Sequence, residues 1–234
     1  MATTIINAMT TENDFSLLRL MQLSSVSLPV GGFSFSQGLE YAIDTGWIKN
    51  AVQVANWVET QMTESLAHLD LPVLKLAMTA LSQADQVAMP LSQCNDLILA
   101  CRETKELKLT DTAMGEALSR LLRSLAIPLP FAKNEDVSFV IVFAVAAHYW
   151  RIPFHKTALG FSWSWLENQI AAATKLVPLG QTQAQQLLGQ LQTSIPMAIN
   201  VAETVSTENI GAGLPAVAIA SARHETQYSR LFRS

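Results

Sequence analysis

Apolar residues recur at helical spacing along nearly the whole chain, and the alternation expected of strands is hard to find. Residues 1–13 are small and polar and are expected to form a flexible leader. Asp14 then stands as a cap before Phe15, Leu18 and Met21, which share one helical face. That segment should stop near 24–29, where the turn Pro29-Val30-Gly31-Gly32 follows. A short helix from Phe33 or Ser36 to Asp44, closed by Gly46, comes next. Asn50 is a good N-cap for a long helix with the apolar face Val54, Ala55, Val58, Met62, Leu66 and Leu69.

Asp70, with Pro72 in the first turn, opens a further helix through Leu74, Ala77, Met78 and Leu81. Two more are expected over 90–107 and 110–126, broken around Leu109. Asn134 caps a helix over 137–150, and Pro153 opens one through Leu159, Trp163, Leu166 and Ile170 that must end or kink before Pro178. The stretch 181–200 is amphipathic, with a kink expected at Pro196. Gly211 and Gly213 loosen the link to a last helix begun by Pro215. The pattern predicts an all-α fold: one domain over 14–234, a bundle of about ten non-repeating helices.

Composition narrows the function. Half of the 234 residues are apolar and only 15% are charged, so a large core can be buried. A net charge of −4, with no basic run beyond a modest cluster at the tail, argues against a general nucleic-acid binder. The longest apolar run, 137–147, is far shorter than the roughly 20 residues of a membrane span and reads as a buried helix. No secretory signal pattern is visible, and two cysteines make no disulfide framework. A cytoplasmic protein with reduced thiols is the expectation.

Walker A, G-x-G-x-x-G, H-E-x-x-H and Cys-x-x-Cys sequences are all absent. His68, His148, His155 and His224 are the residues to consider as metal ligands, His224 foremost. Cys94 and Cys101 stand two turns apart on one expected helix face, about 10 Å, too far for a disulfide. Arg102 and Glu106, at i and i+4, can pair on a solvated surface or belong to an interface patch. The Gly-rich stretch 29–40 could present backbone amides to an anion, though no Lys or Arg adjoins it; close helix packing or a partner surface fits better.

The last dozen residues are the most informative. Arg223, Arg230, Arg233, Tyr228 and Phe232 gather in an otherwise acidic, charge-poor chain. Arg and Tyr dominate interface hot spots because each covers a large area and brings directed hydrogen bonds. If the segment is helical, Arg223, Gln227 and Arg230 lie on one face and Tyr228 and Phe232 on another. It then either docks on a partner or packs on its own domain.

Four segments together resemble one family. Leu28-Pro29-Val30-Gly31-Gly32-Phe33-Ser34-Phe35-Ser36-Gln37-Gly38-Leu39-Glu40 is similar to the N-terminal signature of the urease accessory protein UreF. Arg102-Glu103-Thr104-Lys105-Glu106-Leu107, Leu176-Val177-Pro178-Leu179-Gly180-Gln181 and the segment 223–234 resemble its later signatures, in the right order. The resemblance implies an all-α, non-catalytic helper without a cofactor, commonly homodimeric. Such helpers assemble with UreD (UreH in some systems) and the GTPase UreG so that nickel enters apo-urease; no nucleic acid or membrane is involved. It assigns Arg223, His224, Tyr228, Arg230 and Phe232 to the segment that orders against UreD. Phe33 falls where many relatives have Tyr, near the surface that recruits the GTPase, and Glu40 closes the same signature. Lys175 replaces an Arg often found before Leu-Val-Pro, keeping the charge without the planar fork. On the residues alone two other readings stay open: a nickel-binding carrier using His224 or Cys94, and a helical small-molecule enzyme using His224, Glu225 or the Gly-rich turn.

Overall fold

The longest helical run of the chain is continuous from residue 51 to residue 82, where the sequence pattern expects a break. It consists of α3 (Ala51–Thr60), a π-helical segment (Gln61–Asp70) and α4 (Leu71–Ser82). Asp70 and Pro72 therefore do not start a separate helix. Proline lacks an N–H, so a helix that continues through it leaves an acceptor one turn back without a donor. Here the ladder has already widened, with Leu71 N bonded to Leu66 O, and the His68 carbonyl is bonded by Gly211 N at 3.1 Å. The predicted face holds: Val54, Ala55, Val58, Met62, Leu66 and Leu69 are all buried. Asn50 caps the run as expected, its side chain accepting from Gln53 N at 3.1 Å.

The structure, a computed structural model, describes residues 2–83 and 89–233, with 2–12 described by backbone alone. The other helices are α1 (Ala2–Leu23), α2 (Leu39–Asp44), α5 (Leu91–Ala100), α6 (Lys105–Ser124), α7 (Phe139–Tyr149), α8 (Phe154–Leu176), α9 (Gln181–Leu191), α10 (Ser194–Thr204) and α11 (Pro215–His224). Among the described residues there is no strand, and the fold is all-α. No described helix is long and apolar enough to cross a membrane.

The apolar run 137–147 becomes α7, whose residues Phe139 through Ala147 are all buried. It is wrapped by α4, α5, α6 and α8. Phe139, Phe143 and Phe161 stack around it with ring centroids 5.3–5.9 Å apart. Its entry is polar and fully specified. Asp111 of α6 accepts from Ser138 Oγ and from Phe139 N at 2.8 Å, and Asn95 of α5 accepts from Ser138 N and donates to Asp136 O. Ser138, not Asn134, is the N-cap. Asn134 sits in the turn before it with φ +70°, a left-handed conformation that Asn tolerates.

Several expected elements differ. α1 begins well before Asp14, which therefore lies within a helix. The Phe15, Leu18 and Met21 face is exposed, because Leu20 and Leu23 set the register against the core. The expected helix over 90–107 ends at Ala100, and α6 starts at Lys105 with Thr104 as its N-cap, so the break falls at 101–104 rather than at Leu109. The stretch 181–200 splits into α9 and α10, with Pro196 in the first turn of α10, where no N–H bond is lost. α11 ends at His224, so the shared helical faces expected for Arg223, Gln227 and Arg230, and for Tyr228 and Phe232, do not form.

Gly115 of α6 faces the entry of α7 so closely that a Cβ would clash with the Val137 carbonyl and crowd Phe139 N. Gly115→Ala should therefore lower stability by about 2 kcal/mol, the usual scale of overpacking against backbone that cannot yield. Chemical denaturation measures it, and an unchanged midpoint would contradict this packing.

Candidate functional site

Two helices begin close to the end of a third, and each carries a glutamate in its first turn: Glu40 in α2 and Glu106 in α6. Carboxylates there face the positive ends of the helix dipoles. α11 crosses above them. Its approach is close because Gly38, at φ +85°, leaves room for Ser221 N, 3.1 Å from where a Cβ would stand. The cap residue Thr104 of α6 shares a 2.7 Å hydrogen bond with Ser221 Oγ. These contacts bring His224, the last residue of α11, between the two acids.

His224 is completely buried. Its Nε2 lies 2.9 Å from Glu40 Oε2 and its Nδ1 lies 3.0 Å from Glu106 Oε2. A neutral imidazole has one N–H, whereas both ring nitrogens here face carboxylate oxygens. For both contacts to be hydrogen bonds, the cluster must hold one proton beyond those of two carboxylates and a neutral ring. Burial pushes the Glu106 carboxyl above the usual carboxylate range, opposed by its bonds to His224 and by the charge of Arg230.

The residues beyond α11 fold back on this centre as a strap. Leu231 N and Phe232 N both donate to the Glu40 carboxylate, at 2.6 and 2.9 Å. Arg230 Nη1 donates to Glu106 Oε1 at 3.2 Å, and Arg233 N to Ser34 O at 2.8 Å. The Phe232 ring is buried, and Lys175 Nζ sits 5.4 Å from its centroid and 5.8 Å from that of Phe33. The structure thus gathers Phe33, Glu40, His224, Arg230 and Phe232 into one place. Tyr228, fully exposed, and Arg223 point away from it, as does Leu231, 63% exposed.

Spacing in the sequence pairs Arg102 with Glu106 on a surface, and the structure corrects this: the break at 101–104 takes Arg102 off the helix of Glu106. Arg102 instead bonds Asp70 at 2.7 Å and Asp111 at 2.9 Å, with its side chain 15% exposed. Burial favours its neutral form, but Asp111 and Asp70 more than offset that and hold it charged, above its ordinary range. Asp111 is the same carboxylate that caps α7. The local signal at Asp70, read as a helix start, did not point to this role, and Asp111 carried none, since each acts through partners beyond its own helical turn. The triad borders a cavity of about 100 Å³ that is also lined by Gln37, Gln61 and Gln169.

The other residues weighed as ligands are scattered. His148 and His155 are exposed, and His148 Nδ1 is 3.5 Å from Ser82 Oγ. His68 is partly buried in the π-helical segment. Cys94 and Cys101 are free thiols, Cys94 buried in α5 and Cys101 at its C-cap. Among the described residues no three His, Cys, Asp or Glu side chains are arranged to hold a metal ion. At Glu40, His224 and Glu106 the ring nitrogens meet the oxygens at hydrogen-bond distance.

A family profile described as UreF matches residues 48–192. A Marinomonas protein named urease accessory protein UreF is 62% identical over 234 residues, covering all of both chains. Proteins of the same name from Alkalilimnicola ehrlichii and Pseudoalteromonas translucida are 44% and 43% identical. The alignments cover 92% of this chain and 95% of the first relative, and 96% of this chain and 97% of the second.

Arg102→Ala should destabilise the fold by about 3 to 5 kcal/mol, the cost of leaving buried carboxylates without their counter-charge. Denaturation of the variant reads this, and a loss below about 1 kcal/mol would show the triad to be no more than a surface pair. Burial raises the Cys94 thiol from 9.0 to about 11. Its thiolate population near pH 8 should be roughly 100-fold lower than that of a free thiol. Thiol labelling of the native and denatured protein checks this, and equal rates would contradict it.

Proposed function

The chain belongs to the UreF family of urease accessory proteins, and from that premise we propose that it serves urease maturation as a non-catalytic adaptor. In this reading it is a cytoplasmic homodimer that joins UreD (UreH in some systems) to the GTPase UreG, so that nickel, the cargo, enters apo-urease. Its own residues bind and position; they perform no bond-breaking step.

The observation that carries the reading is the two-sided strap. One side is consumed by the chain itself, through Leu231 N, Phe232 N, the Phe232 ring and Arg230. The other side offers Tyr228, Leu231 and Arg223 outward, next to an exposed Phe33. Tyr228 has nearly its whole side chain in water, an arrangement that folding alone does not require. A strap already anchored on a rigid domain presents these groups with little further ordering, which is the main advantage of preorganised recognition. We assign the outward face of the strap to UreD and the neighbouring Phe33 surface to UreG.

Tyr228→Ala should lower UreD affinity by about tenfold to a hundredfold, the range of a hot-spot loss of roughly 1 to 3 kcal/mol, with no change in melting temperature. Co-expression with UreD and UreG, followed by size-exclusion chromatography with light scattering, measures assembly. A Tyr228→Ala and Leu231→Ala double variant that assembles as fully as the parent chain would remove the strap from the UreD surface.

A further inference from the structure

The strap's polar anchors converge on the two carboxylates that His224 bridges. Glu40 receives the ring and two strap amides at once: His224 Nε2 and Phe232 N on Oε2, and Leu231 N on Oε1. Glu106 receives the ring and Arg230. We propose that the proton held by His224 between Glu40 and Glu106 is the key of a latch, and that its loss releases residues 225–233 from the domain. This rests on the reading that the strap meets a partner, and it adds a control over when the strap is held.

The two protonation states differ in which groups they can satisfy. With the extra proton in place, both ring nitrogens donate, and Glu40, Glu106, His224 and Arg230 balance to no net charge. Without it, one ring nitrogen turns a lone pair toward a carboxylate in a site that excludes water. An unsatisfied buried charge is among the most expensive local defects. The defect is relieved if Glu40 swings out to water, but Glu40 is also the acceptor for Leu231 N and Phe232 N. Those two amides then lose their partner together, which leaves the buried Phe232 ring, the Arg230–Glu106 pair and the bond from Arg233 N to Ser34 O to hold the strap.

Among the described residues, the charged groups facing the centre come from three places. Glu40 comes from α2, Glu106 from α6, and Arg230 and the adjacent Glu225 from the strap and the end of α11. Lys175 of α8 reaches the Phe232 and Phe33 rings rather than the carboxylates. The closed strap binds one proton more than the open one. By linkage the closed state is favoured at low pH and lost as pH rises.

The test is hydrogen exchange at the Leu231 and Phe232 amides of the full chain, corrected for the intrinsic pH dependence of exchange, between about pH 6 and about pH 9. Protection should fall about tenfold per pH unit over the range in which the closed strap holds the proton and the open one has lost it, the slope for one proton released on opening. Glu40→Gln supplies the control. Its amide nitrogen, in the place of Oε2, can donate to the ring nitrogen while its oxygen, in the place of Oε1, still accepts from Leu231 N, so closure no longer needs the extra proton, although Phe232 N gives up its acceptor. That variant should keep protection at the Leu231 amide and lose the slope there. Protection that is flat with pH in the parent chain, or an equal slope in Glu40→Gln, would overturn the latch.

If Glu40→Gln does not fold, the parent chain still decides. The His224 ring nitrogen shifts should report proton loss at the same midpoint as the fall in protection, and two separate midpoints would overturn the proposal. The exchange experiment uses the chain alone, so it fails or succeeds independently of UreD. A strap that opens with pH while UreD assembly ignores the strap would refute the partner assignment and leave the latch standing.

Discussion

A buried imidazole set between two buried carboxylates is the constraint on which the C-terminal part of this molecule depends. Three helices meet there because each supplies something the others need. α2 and α6 each bring a first-turn glutamate, and α11 brings the ring that satisfies both. The glutamates are tolerated inside only because the ring and Arg230 compensate them. The strap is ordered because one of those carboxylates still has acceptor capacity for two backbone amides. A single residue, Glu40, thus couples helix packing to the placement of residues more than 180 positions away in sequence.

The same logic governs the entry of α7. Arg102 between Asp70 and Asp111 ties the π-helical segment to α6, and Asp111 also caps α7. α7 is apolar all round, so its own sequence offers no face to orient it. The polar stitch at its entry, with Asn95 and Ser138, supplies the direction that hydrophobic burial alone leaves open. Charged residues are few in this chain, and the buried carboxylates Glu40, Glu106 and Asp111 each act at the start of a helix. The exposed groups of the strap and of the Phe33 loop stand on backbone fixed from within, which suits the adaptor role proposed for the chain.

Helix type and most apolar faces were legible from spacing, because burial follows period and the period is local. The Asn50 cap and the helices opened by Pro153 and Pro215 follow from equally local rules. The misread features have non-local causes. Pro72 fails to break the run because the π-helical ladder has already widened and Gly211, far along the chain, takes the His68 carbonyl. Arg102 and Glu106 looked like an i, i+4 pair, but the break before Thr104 sends them to different partners. Phe15, Leu18 and Met21 look like a core face, yet the register set by Leu20 and Leu23 turns them outward. At the candidate site, resemblance to the family picked out Phe33, Glu40, His224, Arg230 and Phe232. Nothing in the sequence showed that these residues touch one another or that Glu106 joins them. Their convergence is a property of the fold.

The central claim is that the strap is held through the carboxylates His224 organises, rather than by its apolar contacts alone. A double-mutant cycle between His224→Ala and removal of residues 230–234, read by chemical denaturation, tests it most directly. If the strap acts through that centre, its removal should destabilise the His224→Ala protein by less than the parent chain, with a coupling of about 0.5 to 3 kcal/mol. An equal loss in both backgrounds would mean that strap and centre are independent, and that the Phe232 ring and its apolar neighbours hold the strap by themselves.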